Sequence, residues 1–466
     1  MQSEAHSPVN KTLVLILVMV TSVITPFMGT AVNLALPVIS TQFSLNAISM
    51  SWVAMSFLLA TAVFMVPMGK LSDILGRKKV FIWGNLIVAA SSILCALSWS
   101  GEVLIAMRVI QGFGSAMMFA TSMALITSVY PPKERGKAIG LSVTAVYVGL
   151  SASPVVGGFL IGWFGWQSLF YVTAPIGLVV AIIAFLGIKT DWKEAQNEQF
   201  DYRGSLLYLV AMSAFMYGFS QLPDPTAIVL TVGGAIGVAL FVWVELKATY
   251  PVLNMQLFAQ NRHFALSNLA ALINYATTFA ITFLLSLYLE YIKGLSPRDA
   301  GILLVTQPVM MALVASFSGR LSDKYDSGWL ASGGMAIIAI GLVMLIPLNE
   351  ATTTSYLIVS LAILGFGFGL FSSPNTNAIM SSVEKKYLGI ASATVGTMRL
   401  TGQMMSMGIA TLIIHIFMGD AKIVTSNHPQ FMHSARVTFA IFVALCVLGI
   451  WASLARGKNE HEQAKE

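Results

Sequence analysis

Fourteen stretches of about 20 mostly apolar residues follow one another along this chain, parted by short polar loops, and that pattern leaves one class of fold. They run over 13–38, 48–69, 79–98, 103–126, 137–161, 168–188, 204–222, 227–245, 264–289, 297–319, 329–348, 355–374, 388–417 and 436–455. Each is long enough to cross the hydrocarbon of a bilayer as an α-helix, and about twice as long as a barrel strand, which alternates polar with apolar. Only 10% of the residues are charged and 56% are hydrophobic, whereas a soluble domain carries about 25% charged residues to face water. The expectation is an all-α polytopic membrane protein with 14 transmembrane helices. The first stretch follows Lys11 in the manner of a secretory signal. It runs on to about Ile39 without a small-residue cleavage site, and so reads as a membrane helix.

Placing both termini in the cytoplasm sorts the basic residues. Of the 26 Lys and Arg, only Lys293, Arg298, Lys422 and Arg436 then fall in outer loops; Arg108 and Arg399 lie inside apolar stretches, and the rest face inward. The positive-inside rule fixes this orientation, and an odd number of spans would destroy the asymmetry. Because the basic residues recur in short loops rather than along one segment, they make no nucleic-acid surface. Cys95 and Cys446 are isolated in apolar stretches and read as packing residues; no metal-ligand spacing and no disulfide framework is present, so no metal and no cofactor is expected.

The chain repeats itself. GKLSDILGRKK, from Gly69 to Lys79, returns about 250 residues later as GRLSDKYDSG, from Gly319 to Gly328. ALITSVYPPKERGKAIG, from Ala124, returns as AIMSSVEKKYLGIASA, from Ala378, at a similar offset. The first six and last six stretches are therefore copies, and the pair between them is an insertion. The expected organisation is a cytoplasmic tail over 1–12, a six-helix bundle over 13–188, a linker with two extra helices over 189–263, a second six-helix bundle over 264–455 and a tail over 456–466. Transporters built from such repeats place the substrate at the repeat interface, near the bilayer midplane.

Gly69, Leu71, Asp73, Gly76, Arg77 and Lys78 fit the loop pattern G-x-L-a-D-r-x-G-r-k, and Arg108, Gln111 and Gly112 give R-x-x-Q-G in the fourth stretch. The fifth holds Gly140, Gly149, Ser153-Pro154 and Gly157-Gly158. In these motifs, and over nearly its whole length, the chain resembles the major facilitator superfamily, most of all its fourteen-span branch of drug:proton antiporters. The chemistry fits. Asp73 can accept from the first-turn amides of a neighbouring helix and pair with Arg77, latching two helices on the inner face, with Gly319 and Asp323 in the second copy. Gly69 and Gly76 permit a tight turn and close approach. The small residues of the fifth stretch let helix backbones touch, and Pro154 bends the helix. Ser153 stands where the family has Gly. The resemblance associates this antiporter motif with exporters, which leans the direction toward efflux; packing without directional meaning is the other reading.

The first stretch carries FMGTAVNLALP, in which Thr30, Val32, Asn33, Ala35, Leu36 and Pro37 match the family pattern L-D-x-T-I-V-N-V-A-L-P. The Asp position holds Met28. The resemblance implicates that carboxylate in proton coupling or in binding cationic drugs. No other carboxylate lies at mid-depth: Glu245 and Glu290 sit at the ends of their stretches. The two intramembrane charges are Arg108 and Arg399, and such charges persist only with a partner or a function. A cavity holding both would be electropositive, favouring anionic or neutral substrates. Alternatively, both bond backbone carbonyls and amides such as Gln111 and Gln403, and hold structure only. Asn33, Tyr147, Asn274, Tyr275, Gln307 and Asn375 complete the polar set that could line a substrate cavity; for each, interhelical packing is the competing role.

The expected function is a secondary active transporter moving small organic molecules by alternating access, proton-linked and exporting drugs or metabolites. The alternative is a carrier or facilitator for a metabolite such as a riboflavin-like vitamin, preferring neutral or anionic substrates. An enzyme is not expected: the chain offers no nucleophile–base pair, no H-E-x-x-H and no Cys/His cluster. The proton-coupling candidates are Glu290, His415 and Asp73. The expected partners are a small-molecule substrate, the lipid bilayer of the cytoplasmic membrane and, in a host with an outer membrane, a periplasmic adaptor.

Overall fold

The structure, a computed structural model, describes residues 10–45, 47–195, 197–295, 297–419 and 427–457. Most of the expected tails, 1–9 and 458–466, lies outside the described residues, as does Lys422. A helix stands at each of the fourteen apolar stretches. In chain order these are α1 (Lys11–Phe43), α2 (Ala47–Leu75), α3 (Arg77–Ala96), α4 (Gly101–Val129), α5 (Pro132–Ala152), α6 (Gly158–Phe164), α7 (Ser168–Gly187), α8 (Tyr202–Ser220) and α9 (Pro225–Glu245). The short α10 (Gln256–Gln260) precedes α11 (Arg262–Leu287), α12 (Pro297–Leu304), α13 (Thr306–Leu321), α14 (Ser327–Leu345), α15 (Thr354–Ser381), α16 (Leu388–Met418) and α17 (His428–Ala455). Among the described residues, 12 helices are long and apolar enough to cross a membrane, or 13 if α5 and α6, bent by 44° about a π-turn at Ser153–Gly157, form one span. The helix α8 is not among them, because Arg203, Gly204, Ser205 and Tyr208 dilute its apolar run.

Polar residues set the helix starts. Asn10 accepts from the Leu13 amide at 3.1 Å, Ser100 from Val103 at 3.3 Å, and Asp326 from Gly328 and Trp329 at 2.7 and 3.0 Å. Each satisfies a first-turn amide that has no partner within its helix.

The described chain clusters into two units. The first holds Met1–Ser205, Lys247–Asn254 and Val383–Thr397. Within it α4 packs on α2 and α3, α3 on α7, and α1 on α5. Phe27, Val32, Val53, Leu104, Trp166 and Phe170 form one core cluster. The second unit holds Leu206–Leu246, Met255–Ser382 and Met398–Glu466, so that α16 begins in one unit and continues in the other. Within the second unit α15 packs on α13 and α14, and α17 on α11 and α14, around Ala270, Ala331, Met335, Phe371 and Ala452. The inserted pair belongs to this second unit: Tyr208 of α8 meets Phe241 of α9 with ring centroids 5.1 Å apart, and Gly408 of α16 lies against Phe219.

Candidate functional site

The strongest concentration of buried charge is at the junction of α2 and α3. Asp73 and Arg77, one turn apart, are each 1% exposed. Asp73 Oδ1 accepts from Arg77 Nε at 3.0 Å and Nη2 at 2.8 Å. The same carboxylate reaches α16: its Oδ1 accepts from the Gly389 amide at 3.0 Å and its Oδ2 from Ile390 at 3.2 Å. Asp73 is thus a cap, supplied from another helix, on the positive end of α16, where first-turn amides are otherwise unsatisfied. Arg77 also donates to Ser128 Oγ at 2.7 Å and to the Lys385 carbonyl. The approach needs glycine. A methyl group on Gly69 would lie 2.6 Å from Ala393 Cβ and 2.8 Å from the Gly389 carbonyl oxygen. Gly76 has φ +116°, and a side chain there would overlap the Asp191 carboxylate.

Gly149, Ser153 and Gly157 form the seam between the fifth apolar stretch and α1. Gly149 lies against the Val23 backbone, and Gly157 against Ala31, whose Cβ would be 3.1 Å from an added methyl. Ser153 Oγ bonds Thr30 Oγ1 at 2.6 Å and donates to the Gly149 carbonyl at 2.9 Å. Ser22 and Ser142 join the same helices at 3.1 Å. Gly140 is buried, whereas Gly158 is exposed and faces open space. Pro154 sits in the π-turn.

Arg108 is fully buried and its donors are spent on neutral acceptors. Nε donates to the Val53 carbonyl at 3.0 Å, Nη1 to Gln111 Oε1 at 2.6 Å, and Nη2 to the Met28 carbonyl at 3.5 Å. Gln111 passes the network on to Ser92 Oγ at 2.7 Å, and the Phe57 ring centroid lies 4.3 Å from the guanidinium carbon. Met28 thus meets Arg108 through its backbone carbonyl. Arg108 and Gln111 are both 0% exposed, so neither lines an open cavity here.

In the second unit the structure brings Arg399 and Tyr275 together, with the guanidinium carbon 5.9 Å from the ring centroid. Tyr275 also meets Phe368 edge-on at 5.3 Å. Arg399, Tyr275 and Gln403 are half-buried. Asn375 is placed otherwise: its amide donates to the Ser267 carbonyl, and its Oδ1 accepts from Arg456 Nη1, both at 3.0 Å. Asn274 and Gln307 are buried, and neither atom of the Asn274 amide nor the Gln307 Oε1 has a hydrogen-bond partner among the described residues. Glu290 lies half-buried in a π-turn and accepts from Ser286 Oγ at 2.7 Å; His415 is half-buried. Gly319 is buried and Asp323 half-buried. In the first unit, Tyr147 is 3% exposed and Asn33 stands exposed on α1.

Sequence reasoning missed three residues. Arg456, assigned to the tail, is 3% exposed and donates to Ser267 Oγ at 2.9 Å as well as to Asn375. Asp191 accepts from the Lys78 amide at 3.0 Å, and Glu198 pairs with Lys70. Each lies outside the repeated motifs, and only tertiary contact gives it a place.

Residues 18–261 and 268–466 match the Major Facilitator Superfamily. The chain is similar to the riboflavin transporter RibZ of Clostridioides difficile, 30% identical over 94% of this chain and 96% of that protein. It is also 30% identical to the multidrug resistance protein Stp of Mycobacterium tuberculosis, over 82% of this chain and 71% of that one. Among solved structures, the human organic anion transporter MFSD10 shares its fold at a TM-score of 0.70, covering 95% of this chain and 99% of that chain at 14% identity.

Proposed function

The chain belongs to the major facilitator superfamily and is a transporter of that family, and on that premise we propose a proton-linked exporter of small organic molecules, of the fourteen-span branch. It works by alternating access in the cytoplasmic membrane, with both termini inside. The observation that carries this reading is the seam of α5 on α1, where Gly149, Ser153 and Gly157 seat the antiporter motif directly against the segment Val23–Ala31. The Asp73 cap on α16 supports alternating access, because a carboxylate at a helix end can be made and broken as a latch without touching a substrate. Relatives named as multidrug and methylenomycin resistance proteins agree with efflux.

A second reading has its own support. Met28 stands at the family's Asp position, and Arg399, half-buried beside Tyr275, carries a positive charge that a cationic substrate would not match. A neutral or anionic planar metabolite then suits the chain better than a cation, in keeping with the relative named as a riboflavin transporter. Everted vesicles separate direction from coupling. Energised vesicles should accumulate the transported compound and lose it on adding an uncoupler. Accumulation that ignores the uncoupler would contradict proton linkage.

A further inference from the structure

The junction of α2 and α3 over Gly69–Lys79, helical except at Gly76, is held from a side that no motif describes. After α7 the chain turns back, and 191–195 lies along this junction. The Arg77 amide donates to the Trp192 carbonyl at 3.1 Å, and the Lys78 amide to Asp191 Oδ1 at 3.0 Å. These are the first two amides of α3, which begins at Arg77 and whose Gly76 N-cap has no side chain to offer. The Ala195 amide donates to the backbone carbonyl of Asp73 itself, at 3.0 Å. Glu198 pairs with Lys70, and Lys78 Nζ donates to the Phe185 carbonyl at 3.2 Å. Gly76, at φ +116°, leaves the space that the Asp191 carboxylate fills. Two caps supplied from other segments therefore stand back to back: Asp191 caps α3, and Asp73 caps α16.

We propose that Asp191 is a positioning residue of the transport cycle: with Trp192 and Glu198 it holds the α2–α3 junction in the one arrangement from which Asp73 and Arg77 reach α16. Asp191 fixes the start of α3 and hence the backbone of Arg77. Arg77 fixes the Asp73 carboxylate by two hydrogen bonds. The carboxylate then presents one oxygen to each of the Gly389 and Ile390 amides. Loss of the Asp191 cap should loosen a contact that Asp191 does not touch. This inference rests on reading the Asp73 contact as a gating latch.

The test is residue-resolved amide hydrogen exchange on the full chain in lipid nanodiscs, without substrate. Asp191→Ala should raise exchange at Lys78 and, by about tenfold, at Gly389 and Ile390. Asp191→Asn retains an acceptor oxygen for the Lys78 amide and should stay within about threefold of the parent. A rise at Lys78 with Gly389 and Ile390 unchanged would reduce Asp191 to a local cap and overturn the proposal. If Asp191→Ala does not yield folded protein, Glu198→Gln carries the test: it loosens the far end of the same segment, and must raise exchange at Gly389 and Ile390 in the same direction. No change there overturns the proposal as well. Because the readout involves no transport, its failure is distinct from failure of the latch reading, which Asp73→Asn turnover decides.

Discussion

Asp73→Asn removes one charge from a buried pair and leaves the shape nearly intact. In the parent chain the carboxylate takes four hydrogen bonds, two from Arg77 and one each from the Gly389 and Ile390 amides. An asparagine keeps one acceptor oxygen and turns an NH2 group toward donors. Arg77 stays buried without its counter-charge, though it retains Ser128 and the Lys385 carbonyl. Removing one partner of a buried ion pair costs about 3–5 kcal/mol, and these surviving contacts argue for the lower end. At about 1.4 kcal/mol per factor of ten, the latched state loses roughly a hundredfold in population. The assay compares initial transport rate at saturating compound with equilibrium binding of the same compound, in proteoliposomes and in detergent. Turnover should fall by one to two orders of magnitude while affinity changes by less than about twofold. Affinity falling in parallel with turnover would place Asp73 in the binding site. Unaltered turnover would show that the contact with α16 is not a step of the cycle.

The two intramembrane arginines should behave differently. Arg108→Lys cannot reproduce the fork onto Val53 and Gln111, and should lower stability by about 1–3 kcal/mol in a thermal melt with the substrate charge preference unchanged. Arg399→Gln should instead weaken competition by anionic against neutral compounds by about tenfold. Gly149→Val drives a side chain into the Val23 backbone and should cost about 1–3 kcal/mol, whereas Gly158→Ala, in open space, should stay within about 0.5 kcal/mol of the parent. Burial pushes the Asp191 carboxyl above the usual carboxylate range, against the pull of the Lys78 amide and of Lys193, Lys79 and Lys78. The proton-linked part of its stability is therefore fully present below about pH 4 and is lost as pH rises through the folded-state value, while the hydrogen bond from the Lys78 amide is open to both forms. Asp191→Asn should melt with the parent at acid pH and gain on it toward neutrality; a pH-independent difference would contradict the assignment.

The helices were legible because lipid selects for length and apolarity, which a linear sequence displays without tertiary information. Span counting is harder at α8, where Arg203 and Ser205 blur the signal, and at the bend between α5 and α6. The Gly69–Lys79 junction was legible because Asp73 and Arg77 pair one turn apart, and because the repeat shows the Gly and Asp of its start again as Gly319 and Asp323. What joins it to the rest was not. Asp191 and Glu198 lie more than a hundred residues from Lys78 and Lys70, in a segment whose composition reads as an ordinary polar loop. Arg456 looked like a tail residue because it follows the last apolar run, and only the packing of α17 brings it to Ser267 and Asn375. Asn33 and Asn375 are the same residue type in equally apolar surroundings, yet one is exposed and the other is bonded to a buried arginine. Polarity within a span marks a residue as needing an explanation but does not choose among explanations.

The proposed function couples transport to protons with Met28, not a carboxylate, in the first helix. It is tested most directly by reconstituting the full chain in liposomes, imposing a pH gradient, and following lumenal pH while cationic, anionic and neutral planar compounds are added in turn. Compound-dependent proton movement is the predicted result, strongest for neutral or anionic compounds, and would direct mutagenesis to Glu290, His415 and Asp73. Compound flux with no change in lumenal pH would contradict it, and would make this chain a facilitator or a carrier driven by another ion.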